Sequence, residues 1–135
     1  MSIWRAAWRK RIKNNATVQG LVGAKIDFGK RLDKDQLPGV HLQVRSDPRP
    51  KTMNDYQGLR QSRVQVDVYS SRSSKEASDI AEAIIDAVSL PWRDEALGVR
   101  FDAPGIEGPE DSGSQENDVY VYRARLEFLV WHARI

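Results

Sequence analysis

Residues 63–88, RVQVDVYSSRSSKEASDIAEAIIDAV, change their hydrophobic period partway along. Val64, Val66 and Val68 alternate with Arg63, Gln65 and Asp67, the repeat of a strand that buries one face. From Ala77 the apolar positions recur at helical spacing, through Ile80, Ala81, Ile84, Ile85 and Val88. Glu76, Asp79, Glu82 and Asp86 take the opposite side of that helix. Ser73 with Glu76 is a capping-box pattern at its start, and Leu90-Pro91 stops it. A strand with one apolar face, followed at once by a helix with one apolar stripe, requires a sheet that the helix can cover. Helical bundles and all-β folds are excluded.

The remaining stretches supply that sheet. VHLQV places Val40, Leu42 and Val44 on one face, and its long loop to residue 63 suggests antiparallel pairing with RVQVDVY. Pro48 and Pro50 in that loop impose an extended path outside any ladder. The final run, VYVYRARLEFLVWHARI, sets Tyr120, Tyr122, Ala124, Leu126, Phe128 and Val130 against Val121, Arg123, Arg125, Glu127 and Leu129. It reads as one long strand or two joined at a bulge. Lys25 to Phe28 and GVRFDA read as shorter strands. Residues 27–39 form a charged connector, residues 18–23 a short turn after the helix enders Asn14 and Asn15, and the polar stretch 104–118 a mobile loop. The chain opens on a second amphipathic helix. Ile3, Trp4, Ala7, Trp8 and Ile12 share its apolar arc, and Arg5, Arg9, Lys10 and Lys13 lie mostly opposite. Arg11 falls within the arc and snorkels to its edge. The fold class expected is α+β: an antiparallel sheet of about four to five strands packed on one side by two amphipathic helices, as one domain over 1–135.

Little in the chain supports catalysis. It has no cysteine, which removes disulfides, thiolate metal sites and cysteine nucleophiles and suits a reducing cytoplasm. His41 and His132 read as surface histidines on strands. The serines of SSRSS stand where helix caps are wanted, and GIEGPEDSG lacks the lysine of a phosphate loop. No catalytic residue, cofactor or metal ligand is expected. No stretch approaches a membrane span, so the expected protein is soluble, with no membrane partner.

Binding and assembly are left. Charge sums to 21 − 19 = +2, a weak overall field for a phosphate-neutralising binder. A nucleic-acid-binding accessory protein using the basic first helix is the alternative reading. For self-assembly, the basic residues Arg5, Arg9 and Lys13 could meet Glu76, Asp79 and Glu82 of a neighbouring copy in a head-to-tail ring. The loops add Arg49, Lys51, Tyr56 and Arg60, and Glu110 and Asp111, as further candidate contacts.

The order VQGLVGAKI, LPGVHLQV, RVQVDVYSSRSSKEASDIAEAIIDAV and YVYRARLEFLVWH resembles the tail-completion or tail-terminator family of long-tailed phages and prophages. The likeness covers nearly the whole chain; its most specific parts are the Val-Gln-Val-Asp-Val-Tyr strand leading into the Ala/Ile helix and the aromatic last strand. It implies a small α+β subunit of a homo-oligomeric ring, a hexamer, at the head-proximal end of the tail, assembled in the host cytoplasm. The partners it implies are sister copies, the tail tube protein and head–tail connector or adaptor proteins, with genomic DNA passing through the lumen without specific binding. No catalytic residues come with the resemblance.

Overall fold

Both periods of residues 63–88 fold as their spacing demands, and the surrounding sheet is larger than expected. The computed structural model describes residues 3–23, 25–28, 37–47, 60–116 and 119–135. In chain order these form α1 (Ile3–Lys13), α2 (Ala16–Val22), β1 (Ile26–Phe28), β2 (Gly39–Ser46) and β3 (Arg60–Ser70). They continue with α3 (Ser74–Val88), β4 (Trp92–Asp94), β5 (Val99–Phe101), β6 (Gly105–Glu116) and β7 (Val119–Arg134).

The class is α+β, but one seven-stranded mixed sheet replaces the smaller antiparallel one. Its order is β1-β2-β3-β7-β5-β4, and β6 also pairs with β7. β2 with β3 and β3 with β7 are antiparallel, as the alternation of their residues suggests. β1 runs parallel to β2, matching Ile26 to Val40 and Phe28 to Leu42. A parallel pair needs a crossover rather than a tight turn. Most of the charged connector expected over 27–39, residues 29–36, lies outside the described residues, as do Pro48 and Pro50.

Two local expectations are corrected. Residues 16–22 form a helix, so the described residues contain three helices instead of the two expected. Asn15 follows the end of α1, its N–H donating to the Ile12 carbonyl at 3.2 Å, and also begins α2: its side-chain oxygen accepts the Thr17 and Val18 N–H groups, both at 3.1 Å. The stretch 104–118 contains no free loop of that length, because Gly105–Glu116 is a strand pairing with β7 from Leu129 to Val119. Most β6 side chains are exposed, so burial imposed no alternation on them and the sequence carried no strand signal. The register shifts between Glu107 and Glu110. There Gly108 holds φ at 101°, and a Cβ on it would stand 2.6 Å from the Arg125 carbonyl oxygen. Only glycine meets both conditions.

One core unites the layers. Trp4, Ala7, Trp8 and Ile12 of α1, Val18 and Val22 of α2, and Ala77, Ile80, Ala81, Ile84 and Val88 of α3 pack with Val40, Leu42, Val64, Val66, Val68, Ala124, Leu126, Phe128 and Val130. These are the residues that both periodicities point inward. The long last stretch is a single strand.

The cap of α3 forms half of its box. Ser73 Oγ accepts the Glu76 N–H at 3.0 Å. The Glu76 carboxylate turns away, to the Ser70 hydroxyl at 2.7 Å and Arg72 at 3.4 Å. Ser73→Ala should therefore lower stability by about 1 kcal/mol in denaturant titration, and Ser73→Gly by only a few tenths. No loss from Ser73→Ala would show that the hydroxyl is not the cap.

Candidate assembly surface

Every interface reading of the sequence depends on whether the basic face of α1 is free. With Trp4 and Trp8 buried against the sheet, the neighbouring bases come within reach of acids and carbonyls on the elements beneath. Arg9 Nε donates to the Ile26 carbonyl at 2.9 Å and lies 3.6 Å from Asp27. Lys10 Nζ is 3.2 Å from Asp94, and Arg5 Nη2 is 3.8 Å from Asp47. Arg11 donates to the Ala87 carbonyl at 2.9 Å, near the end of α3 where helix carbonyls need donors. Its guanidinium also lies 4.9 Å from the Trp92 ring centre. These bases clamp α1 to its own chain.

The polar heart of that clamp was missed in the sequence. His132 was expected at the surface and is buried, because β7 keeps its inward parity from Phe128 through Val130 to His132. Its ring stacks on Trp4 with centroids 4.5 Å apart and planes 17° from parallel. Ser62, fully buried on β3, donates to Asp47 Oδ1 at 2.8 Å, so its oxygen must accept the proton of His132 Nε2, 2.9 Å away. Arg60 Nη2 reaches the same Asp47 oxygen at 2.6 Å, and Trp4 Nε1 donates to Asp47 Oδ2 at 3.4 Å. Burial alone would push Asp47 up, but the Ser62 hydroxyl, the Arg60 charge and the Trp4 N–H outweigh it and hold the carboxyl below its usual range. Burial, with Arg60 beside it, drives His132 down to about 4 despite the opposing pull of Asp47. Serine, histidine and aspartate meet here in the wrong order for a nucleophile. The hydroxyl gives its proton to the carboxylate and is shut away from solvent. The cluster is a structural latch between α1, β2, β3 and β7.

On the sheet face away from the helices, Arg63 pairs with Glu127 at 2.7 Å, and Arg125 and Arg123 lie 3.5 and 3.9 Å from the buried Asp67. Arg123 also donates to Ser112 on β6 at 3.1 Å. Charges of both signs alternate there. An open cleft of about 460 Å³ beside α1 and β4 is crossed by the Lys10–Asp94 pair and walled by Trp92. Of its polar groups, Lys10 and Asp94 hold each other, Arg11 holds the Ala87 carbonyl and Asn15 caps α2. Among the described residues, no cluster of histidine and carboxylate groups could hold a metal ion.

The candidate contacts now divide. Arg5, Arg9 and Arg60 are engaged as above, Glu76 binds Ser70 and Arg72, and Asp79 pairs with Lys75 at 2.8 Å. Lys13, Glu82, Glu110 and Asp111 have no partner among the described residues. Glu110 and Asp111 sit together on β6, remote in the sheet order from β1 and β2. Arg49, Lys51 and Tyr56 lie outside the described residues.

The sequence model of one family, described as "Tail completion protein gp17", matches residues 6–133. A comparison with curated proteins finds no match. Among solved structures, a chain of "Virion of native gene transfer agent (GTA) particle" superposes with a TM-score of 0.57 at 13% identity, over 94% of this chain and 93% of that one. At that identity the likeness is one of fold.

Proposed function

Because the chain belongs to the tail completion protein gp17 family, we propose that it is the ring-forming subunit that ends the tail and joins it to the head. It is a structural protein of a tailed virion, and the finer reading adds geometry: copies close into a ring, one side meeting the tail tube and the other the head connector, with DNA passing through the lumen. The observation that carries this reading is the family match over residues 6–133, which leaves almost no part of the chain for a different task. The fold shared with a chain of a virion particle supports it.

The nucleic-acid reading required a free basic helix. Arg5, Arg9, Lys10 and Arg11 are instead held by Asp47, Ile26, Asp94 and Ala87, so that reading has no observation in its favour. For the assembly contacts we retain Lys13, Glu82, Glu110 and Asp111, whose charges are unmatched among the described residues. Light scattering and electron microscopy of the purified protein should reveal a ring-sized oligomer without DNA. A monomer at every concentration, with DNA affinity falling steeply as salt rises, would overturn the proposal in favour of the nucleic-acid reading.

A further inference from the structure

The pair β6–β7 outruns the sheet that carries it. β3 pairs with β7 only as far as Ser70 against Tyr122. Beyond that register, Ser114 with Val121, Gln115 with Tyr120 and Glu116 with Val119 form a ladder of two strands. A two-stranded end in water is marginal unless it lies against something. This end also presents an aromatic side chain. Tyr120 is 42% exposed, and its ring meets Tyr122 edge to face with centres 4.8 Å apart. Its hydroxyl lies over Gly113, where a Cβ would stand 2.6 Å from the oxygen and displace the ring. A tyrosine held out in one conformation loses little freedom on binding, which is what an interface anchor requires.

The other end of the subunit holds a fitting receptor. The cleft beside α1 and β4 has Trp92, Ala16 and Ala87 as apolar walls. Its two remaining polar side chains, Asp86 and Asn14, have no partner among the described residues. One offers a carboxylate that accepts and the other an amide that donates. A phenol matches both features, with a flat apolar ring and a hydroxyl that donates and accepts. The cleft cannot receive its own Tyr120. Trp92 pairs with Phe101 and Phe101 with His132, so the cleft lies level with His132, twelve residues along β7 from Tyr120. At about 3.3 Å per strand residue that is roughly 40 Å.

We infer that Tyr120 of one copy enters the Trp92 cleft of the next, its hydroxyl donating to Asp86 and accepting from the Asn14 amide. The inference rests on the self-assembly proposed above and assigns its contact. Plug and socket are different surfaces at opposite ends of β7, so the contact is heterologous and repeats head to tail, the arrangement that closes under rotation. The indole wall and the ring supply apolar burial, and the hydroxyl fixes the direction of entry.

The absence of cysteine allows a clean test on the full chain. Asp111 is exposed two residues from Gly113 on β6, and Ala16 is exposed at the wall of the cleft. Wild-type mass is measured by light scattering. An Ala16→Cys, Asp111→Cys double variant and its two single variants are then treated with a short bismaleimide and run on denaturing gels. A ladder of covalent multimers from the double variant alone is the expected result. An oligomer that yields no ladder would overturn the plug and socket while leaving self-assembly intact, and a monomeric wild type would overturn both. Dimers from Asp111→Cys alone would mean that two β6–β7 ends meet, which also overturns it. Independently, Tyr120→Ala should weaken association about thirtyfold with an unchanged circular dichroism spectrum, and Tyr120→Phe or Asp86→Ala about tenfold. Tyr120→Phe combined with Asp86→Ala should lose no more than the worse of the two, because both remove one hydrogen bond. Losses that simply add would mean that the two side chains do not meet, and the assignment falls.

Discussion

Replacing Trp8 by alanine will lower the unfolding free energy by about 3–5 kcal/mol, a large share of the roughly 5–15 kcal/mol that holds such a domain together. Trp8 is 1% exposed and meets Phe128 edge to face, with ring centres 5.2 Å apart. It is therefore the point where α1 keys into the middle of the sheet. Truncation removes the transfer free energy of an indole and leaves a void between a helix and a strand, neither of which can collapse far without dragging its neighbours. Chemical denaturation will show the loss as a lower midpoint at unchanged slope. Trp8→Phe, which keeps a ring against Phe128, will lose markedly less. A Trp8→Ala protein as stable as the parent would mean that α1 is not seated on the sheet.

Acid will loosen the fold in a window set by His132. Its ordinary value of 6.5 falls to about 4 in the folded chain. The unfolded chain therefore takes up a proton first. Stability is complete above about 6.5 and declines as pH falls toward 4, by about 2 kcal/mol at pH 5. The groups facing the ring from the packed elements are Asp47 of the β2 end, Arg60 and Ser62 of β3, and Arg5 beside Trp4 on α1. Asp47 acts in a different window. Its folded value lies below 3.8, so its contribution stands above that range and is lost only in stronger acid. His132→Gln should flatten the dependence between neutral pH and pH 5, measured by denaturant titration at each pH. An unchanged slope in that variant would show that another group carries the effect.

The buried faces were legible wherever burial imposed a period. Val64, Val66 and Val68, the apolar stripe of α3 and the even positions of β7 from Ala124 to Val130 point where their spacing said, whereas at the start of β7 Tyr120 is exposed and Val121 is buried in its place. His132 was legible too, since it continues the parity of Phe128 and Val130, but its place near the strand's end was read as a surface position. β6 was not legible: with most of its side chains in solvent, nothing selects alternation, and its glycines and Pro109 speak for a turn. The parallel pairing of β1 was hidden for another reason, because three residues carry no direction. Asn15 was half legible: it does follow the end of α1, but its capping of α2 shows only once Thr17 and Val18 are placed. As for the assembly surface, sequence located the charges but not which of them the fold itself would engage.

β7, the last strand along the chain, lies at the centre of the sheet, with β3 on one side and β5 and β6 on the other. During synthesis β3, β5 and β6 must therefore wait for it to complete their ladders, although β1-β2-β3 and β4-β5 can already pair. Until Val119–Arg134 leaves the ribosome, β3 has only β2 beside it, and the apolar faces of α1 and α3 have no finished floor. The arrival of Val119–Arg134 is thus the event that joins the β1-β2-β3 and β5-β4 pieces into one sheet and finishes the floor beneath α1 and α3.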